Sequence, residues 1–129
     1  MTDAEIVKAL GLRLHGLHYK IVWEDDAPGL PDLPYLTFEL VPTGRIDDTL
    51  DGSGALFTGY AQVTVVTKLG EKAIRARDIA EDVAATFPMT LTIATPTGLV
   101  TIIRATDVRQ GFRDGPNWRI PVRVYYEAA

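Results

Sequence analysis

From Trp118 to Tyr126 the chain alternates without a break. Trp118, Ile120, Val122, Val124 and Tyr126 fall on one side, and Arg119, Pro121, Arg123 and Tyr125 on the other. A period of two sustained this long is a strand with one covered face, so whatever this chain folds into must contain a sheet backed by another layer. The preceding polar stretch, Gln110-Gly111-Phe112-Arg113-Asp114-Gly115-Pro116-Asn117, reads as a turn and makes the segment a closing hairpin. Pro121 has no N–H to give a ladder, which predicts an edge strand or a bulge there.

The covering layer is legible upstream. Thr2 and Glu5 form a capping box, and Ile6, Leu10, Leu14 and Leu17 recur at helical spacing. Gly11 weakens this helix and Gly16 ends it. A second helix is predicted over 71–87, with Ala73, Ala76, Ala80, Val83, Ala84 and Phe87 as a narrow apolar stripe, and Pro88 stops it. Between the helices, Tyr19–Trp23, Tyr35–Val41 and Leu56–Leu69 read as strands, with Gly59 marking a bulge. After the second helix come Met89–Thr95, Leu99–Val108 and Trp118–Tyr126. The expected class is α+β, one domain over 1–129, with both helices packed on an antiparallel or mixed sheet.

Two connections are long. Residues 24–34 contain Pro28, Pro31 and Pro34 and read as an ordered surface loop. Pro42 to Gly54 reads as a loop of unusual length. Its Asp47, Asp48, Asp51, Gly52, Ser53 and Gly54 are the expected mobile assembly segment.

Chemistry is sparse. The chain has no cysteine, which removes disulfides, thiolate nucleophiles and zinc–thiolate sites. Ser53 is the only serine and lacks the strand–elbow–helix setting of a hydrolase nucleophile. His15 and His18 stand three apart, and Glu24, Asp25 or Asp26 would have to complete a metal site, but Gly16 spoils their alignment. Asp47, Asp48 and Asp51 lack calcium-loop spacing and suit turn formation instead. Neither phosphate-binding glycine motif is present. The reading is therefore non-enzymatic, with no catalytic residues, no cofactor and no metal.

Charge is uneven. Residues 1–64 carry four basic and ten acidic side chains, net −6, whereas 65–129 carry nine and seven, net +2. That balance disfavours nucleic-acid recognition and suits head-to-tail self-association, the plain alternative being solvated surface. There is no apolar run long enough to span a membrane, and the acidic start, Met-Thr-Asp-Ala-Glu, does not read as a secretory signal, which makes a cytoplasmic origin the expectation. Arg104, Arg109, Arg113, Arg119 and Arg123 are interleaved with Phe112, Trp118, Tyr125 and Tyr126 on the last hairpin. Arginine and large aromatics give much contact area for few frozen rotors, so Arg109, Phe112, Arg113, Arg119, Arg123 and Tyr125 are candidate interface residues. A solvated sheet face and a stacking surface for nucleic acid are the competing readings.

Several of these segments, taken in order, resemble a family of small phage and prophage proteins, the lambda-type tail terminators. The matching stretches are Pro34-Tyr35-Leu36 with Phe38, Gly59-Tyr60-Ala61-Gln62-Val63-Thr64-Val65, the helix from Gly70 to Phe87-Pro88, and Arg104-Ala105, Gly111 and Trp118-Arg119-Ile120-Pro121-Val122. The resemblance spans about residues 3–126. It implies an α+β subunit that assembles into a hexameric ring, caps the tail tube and presents the surface on which the head connector docks. Implied partners are other copies of itself, the tail-tube protein and the head–tail connector. The implied location is the virion tail, assembled in the cytoplasm of a bacterial host. A head–tail connector or neck protein, or a small α+β ligand-binding domain, are the alternatives.

Overall fold

The computed structural model describes residues 1–24, 32–47, 55–70 and 73–129. The order is α1 (Asp3–His15), β1 (Lys20–Trp23), β2 (Tyr35–Asp47), β3 (Ala55–Lys68), α2 (Ala73–Thr86), β4 (Thr92–Thr95), β5 (Gly98–Ile102), β6 (Asp107–Val108), β7 (Phe112–Asp114) and β8 (Asn117–Ala128). The strands form a sheet in the order β1-β2-β3-β8-β5-β4, with β6 and β7 also paired to β8. β1 runs parallel to β2 and the other pairings are antiparallel. The sheet is therefore mixed, and it curls into a half-barrel holding the helices, the α+β class read from the sequence.

α1 begins as its residues dictate. Glu5 N–H donates to Thr2 Oγ1 at 3.3 Å, and Thr2 N–H donates to Glu5 Oε2 at 3.0 Å. Ile6, Leu10 and Leu14 face the core with no exposure. Gly11 lies under the Trp23 indole, where a Cβ would stand 2.7 Å from Cη2, so this glycine admits a ring rather than simply loosening the helix. Gly16 is the C-cap but keeps right-handed backbone, with φ −61°. The exit tightens instead through Gly16 N–H to Arg13 O, Leu17 N–H to Leu14 O and His18 N–H to His15 O. The left-handed residue that turns the chain is His18, at φ 63°.

The stretch after Pro42 departs from the expected loop. β2 continues to Asp47, and Gly44–Asp47 pairs with Ala55–Thr58. The register slips once, between Pro42 and Gly44, which is a bulge on the strand facing Gly59. Thr43, Gly44 and Arg45 look like loop residues in isolation. What carries the ladder onward is cross-strand contact, including the Arg45 guanidinium 4.3 Å from the Phe57 ring centre. Of the expected assembly segment, Asp47 is the last residue of β2, while Asp48, Asp51, Gly52, Ser53 and Gly54 lie outside the described residues. Asp25 and Asp26 do as well.

Beyond the end of β1 the free edge of β2 is blunted. Leu40 N–H donates to the Glu24 carboxylate at 3.3 Å, so it points away from β3. Pro42, two residues on, has no N–H to offer on that side.

β8 is central, which corrects the edge-strand option. It pairs with β3 from Phe57↔Ala128 to Lys68↔Asn117 on one side, and with β5, β6 and β7 on the other. Pro121 accepts Arg109 N–H at 2.9 Å through its carbonyl. In an antiparallel ladder a residue's nitrogen points the same way as its carbonyl, so the missing donor faces the interruption between β6 and β7. The expected single strand Leu99–Val108 is accordingly broken: β5 stops at Ile102 and β6 starts at Asp107. In the gap, Thr106 Oγ1 donates to Phe87 O at 2.8 Å and binds the break to the end of α2. Behind β8 and β3, Ala76, Ala80 and Val83 of α2 are fully buried, the close packing that an alanine-rich stripe permits.

Candidate functional site

Pairing in register decides which side chains share a face. Ile120, Val122, Val124 and Tyr126 have no exposure and face the helices. Arg119, Arg123 and Tyr125 therefore lie on the outer face, which no helix among the described residues covers. On β3, Gln62 is opposite Arg123 and Tyr60 opposite Tyr125. On β7, Phe112 is opposite Arg119, whereas Arg113 is opposite Trp118 and so faces the other way.

The sequence-predicted site residues thus separate. Arg119 Nε lies 2.6 Å from Asp114 Oδ2, a charge contact without an aligned hydrogen bond. Arg109 is tied to Asp107 at 2.9 Å at the β6–β7 break. Phe112 is 47% exposed beside an open concavity of about 550 Å³ that also meets Glu39, Gln62, Thr64 and Arg119. Arg123 donates from Nε to Gln62 Oε1 at 3.3 Å and sits 4.8 Å from the Tyr60 ring centre. Tyr125 has the Arg104 guanidinium 4.0 Å from its ring centre and tilts against Tyr60 at 5.6 Å. Arg104, Tyr125, Tyr60 and Arg123 therefore form one stacked run, whose cation–π contacts hold long side chains in single poses.

Four members of this neighbourhood were missed as candidates from the sequence: Tyr60, Leu99, Ile103 and Arg104. Leu99 and Ile103 are 51% and 40% exposed. Ile103 N–H donates to Tyr125 O, which sets Ile103 on the outer face beside the run. Leu99 exchanges backbone hydrogen bonds with Ala129 and lies on the same face further along β5, past Thr101 and Glu127. A signal was available. Leu99-Val100-Thr101-Ile102-Ile103 is apolar on both faces, the pattern of a strand meant to be covered twice.

Little else suggests chemistry. Among the described residues no group of three His, Asp or Glu side chains could hold a metal ion. His15 and His18 are both exposed around the end of α1. No helix among the described residues is long and apolar enough to cross a membrane. The largest perturbation belongs to a core residue: burial, helped by the Asp3 carboxylate, pushes the Tyr126 phenol up to about 12. Its hydroxyl is buried with no hydrogen-bond partner among the described residues.

That phenol gives a prediction. Below pH 10 it is protonated in both folded and unfolded chains and makes no pH-dependent difference. Between about pH 10 and 12 the unfolded chain gives up this proton and the folded one keeps it. Its contribution therefore makes stability fall as pH rises, by at most about 1.4 kcal/mol per unit. Tyr126→Phe is expected to leave stability at pH 8 unchanged or slightly higher, since it deletes an unpaired hydroxyl. It should also flatten the decline between pH 9.5 and 11.5 in urea titrations. An equally steep decline in the variant would remove Tyr126 as its source.

The sequence model of a family described as phage tail terminator protein matches residues 5–126. Curated proteins yield no match. One solved structure superposes with a TM-score of 0.82 at 20% identity, covering 100% of this chain and 96% of the other. A second is a chain from the virion of a native gene transfer agent particle, with a TM-score of 0.69 at 12% identity over 98% of this chain and 95% of that one. At these identities the two structures establish a shared fold.

Proposed function

Because this chain belongs to the phage tail terminator family, we propose that it is a structural subunit that closes into a ring at the end of a virion tail tube. In this reading the ring stops tube growth and offers the surface on which the head connector docks. The family match over residues 5–126 carries the proposal. A virion structural role is supported further by the fold shared with a chain of the gene transfer agent particle. The architecture suits the role physically, because among the described residues one sheet face is covered by helices and the other is dressed with arginine and tyrosine. A ring requires two unlike surfaces per subunit that meet head to tail, and opposite faces of a sheet are unlike by construction.

The test is particle mass by light scattering, for the chain alone and with its cognate tail-tube protein, followed by negative-stain imaging. Rings, or tubes cut to a defined length and capped, are the expected result. A chain that neither binds tubes nor limits their length overturns the terminator role.

A further inference from the structure

An outer sheet face that only met water would be polar, as alternation normally makes it. Here it carries Ile103, 40% exposed, beside the half-buried Tyr125 and Tyr60, and Leu99, 51% exposed, further along β5. Arg104 and Arg123 are pinned on those rings, and among the described residues neither is ion-paired with a carboxylate. Aliphatic, tyrosine and arginine side chains with few lysines are the composition of a protein interface. Glu39 and Glu127 share the face; Glu39 already accepts from Gln62 Nε2 at 3.3 Å.

A matching surface lies on the back of the same strands. α2 packs against β8 and β3 through Ala76, Ile79, Ala80 and Val83. Its opposite side exposes Ile74, Asp78, Glu81, Asp82 and Ala85. The spacing puts these on one ridge, acidic in the middle and apolar at both ends, with Ile74 66% exposed. Arg75 and Arg77 flank the ridge rather than sit on its crest. Ile74 to Ala85 extends about 17 Å at helical rise. The patch is about 10 Å across its three strands and about 20 Å along them, because Leu99 pairs with Ala129, six residues from Arg123. The lengths are comparable, and the two guanidiniums are opposite in sign to the Asp78, Glu81 and Asp82 carboxylates, with Glu127 lying on the Leu99 side of them.

Resting on the structural-subunit reading, we infer that the Arg104–Tyr125–Tyr60–Arg123 patch of one copy docks on the α2 ridge of the next. Asp78 and Asp82 meet the two guanidiniums, and an apolar end of the ridge meets Ile103. The contact joins the front of one subunit to the back of another, so it is heterologous and propagates until rotation closes it.

Two charge-reversed chains test it. One carries Arg104→Glu and Arg123→Glu, leaving patch and ridge both acidic; the other carries Asp78→Arg and Asp82→Arg, leaving both basic. Each alone is expected to self-associate at least about tenfold more weakly than wild type by sedimentation and light scattering. Mixed in equal amounts they should co-assemble, because each patch then faces a ridge of opposite sign. Ile74→Lys, on an exposed helix position that cannot harm the core, should weaken wild-type assembly similarly. The inference is overturned by reversed chains that assemble like wild type, by a mixture that stays dissociated although both chains melt cooperatively, or by a wild-type chain monomeric at about 1 mM. Mass spectrometry of purified particles separates the two claims. A chain present in virions but lacking cross-links between α2 and β8 of neighbouring copies keeps its structural role and loses this contact.

Discussion

Replacing Gly59 by alanine is expected to lower stability by about 3 kcal/mol, or about 10 °C in Tm. The cause is steric, since no positive φ is involved. A Cβ at this position would stand 2.5 Å from Val41 O, 2.7 Å from Tyr126 Oη and 2.9 Å from Pro42 Cα. Two of those atoms are backbone of the neighbouring strand, at the point where β2 bulges. The third is the end of a buried ring. β2 and β8 both crowd β3 here, so neither neighbour can move away without disturbing its own ladder. Guanidinium titration would show the loss as a lower midpoint. Combining the change with Tyr126→Phe should restore only part of it, because the two backbone contacts remain. A loss under about 0.5 kcal/mol would mean that the bulge is soft, and that Gly59 is not what shapes the middle of the sheet.

The second large effect is expected in α1. Leu10 has no exposure and sits in the core, so Leu10→Ala should cost about 3 kcal/mol from lost burial and the cavity left behind. Leu12, two residues further on, is 67% exposed, and Leu12→Ala should stay within about 0.5 kcal/mol. The contrast tests whether α1 fills the half-barrel through the Ile6–Leu10–Leu14 stripe. Helix propensity cannot produce it, because the same Leu→Ala change is made at both positions. Equal losses at the two positions would place the helix in a different rotation about its axis.

Much of the candidate site was legible one residue at a time, though not as a constellation. Arg123 and Tyr125 could be placed on the polar side of the last strand by alternation alone. Arg113 could not be assigned, because a short strand set by a tight turn takes its facing from the register with Trp118. Tyr60, Leu99 and Ile103 join Tyr125 from two other strands, and nothing local links them. Arg119 and Arg109 were read as interface residues, yet Asp114 and Asp107 lie close enough to engage them.

Whatever is settled within a turn or a few residues can be read from the chain itself. The capping box and the Ile6–Leu10–Leu14 spacing define α1, the alanine stripe defines α2, and strict alternation assigns both faces of β8. These follow from hydrogen bonds and side-chain periods that a short segment closes on itself. The folded sheet alone makes β8 central rather than an edge, turns Pro121 toward a gap in the ladder, carries β2 on to Asp47, and sets Trp23 on Gly11 and Trp118 on Gly111. Each of these depends on which strand lies beside which, and in what register. That choice is made by the burial of the whole sheet at once, so no window of the chain contains it.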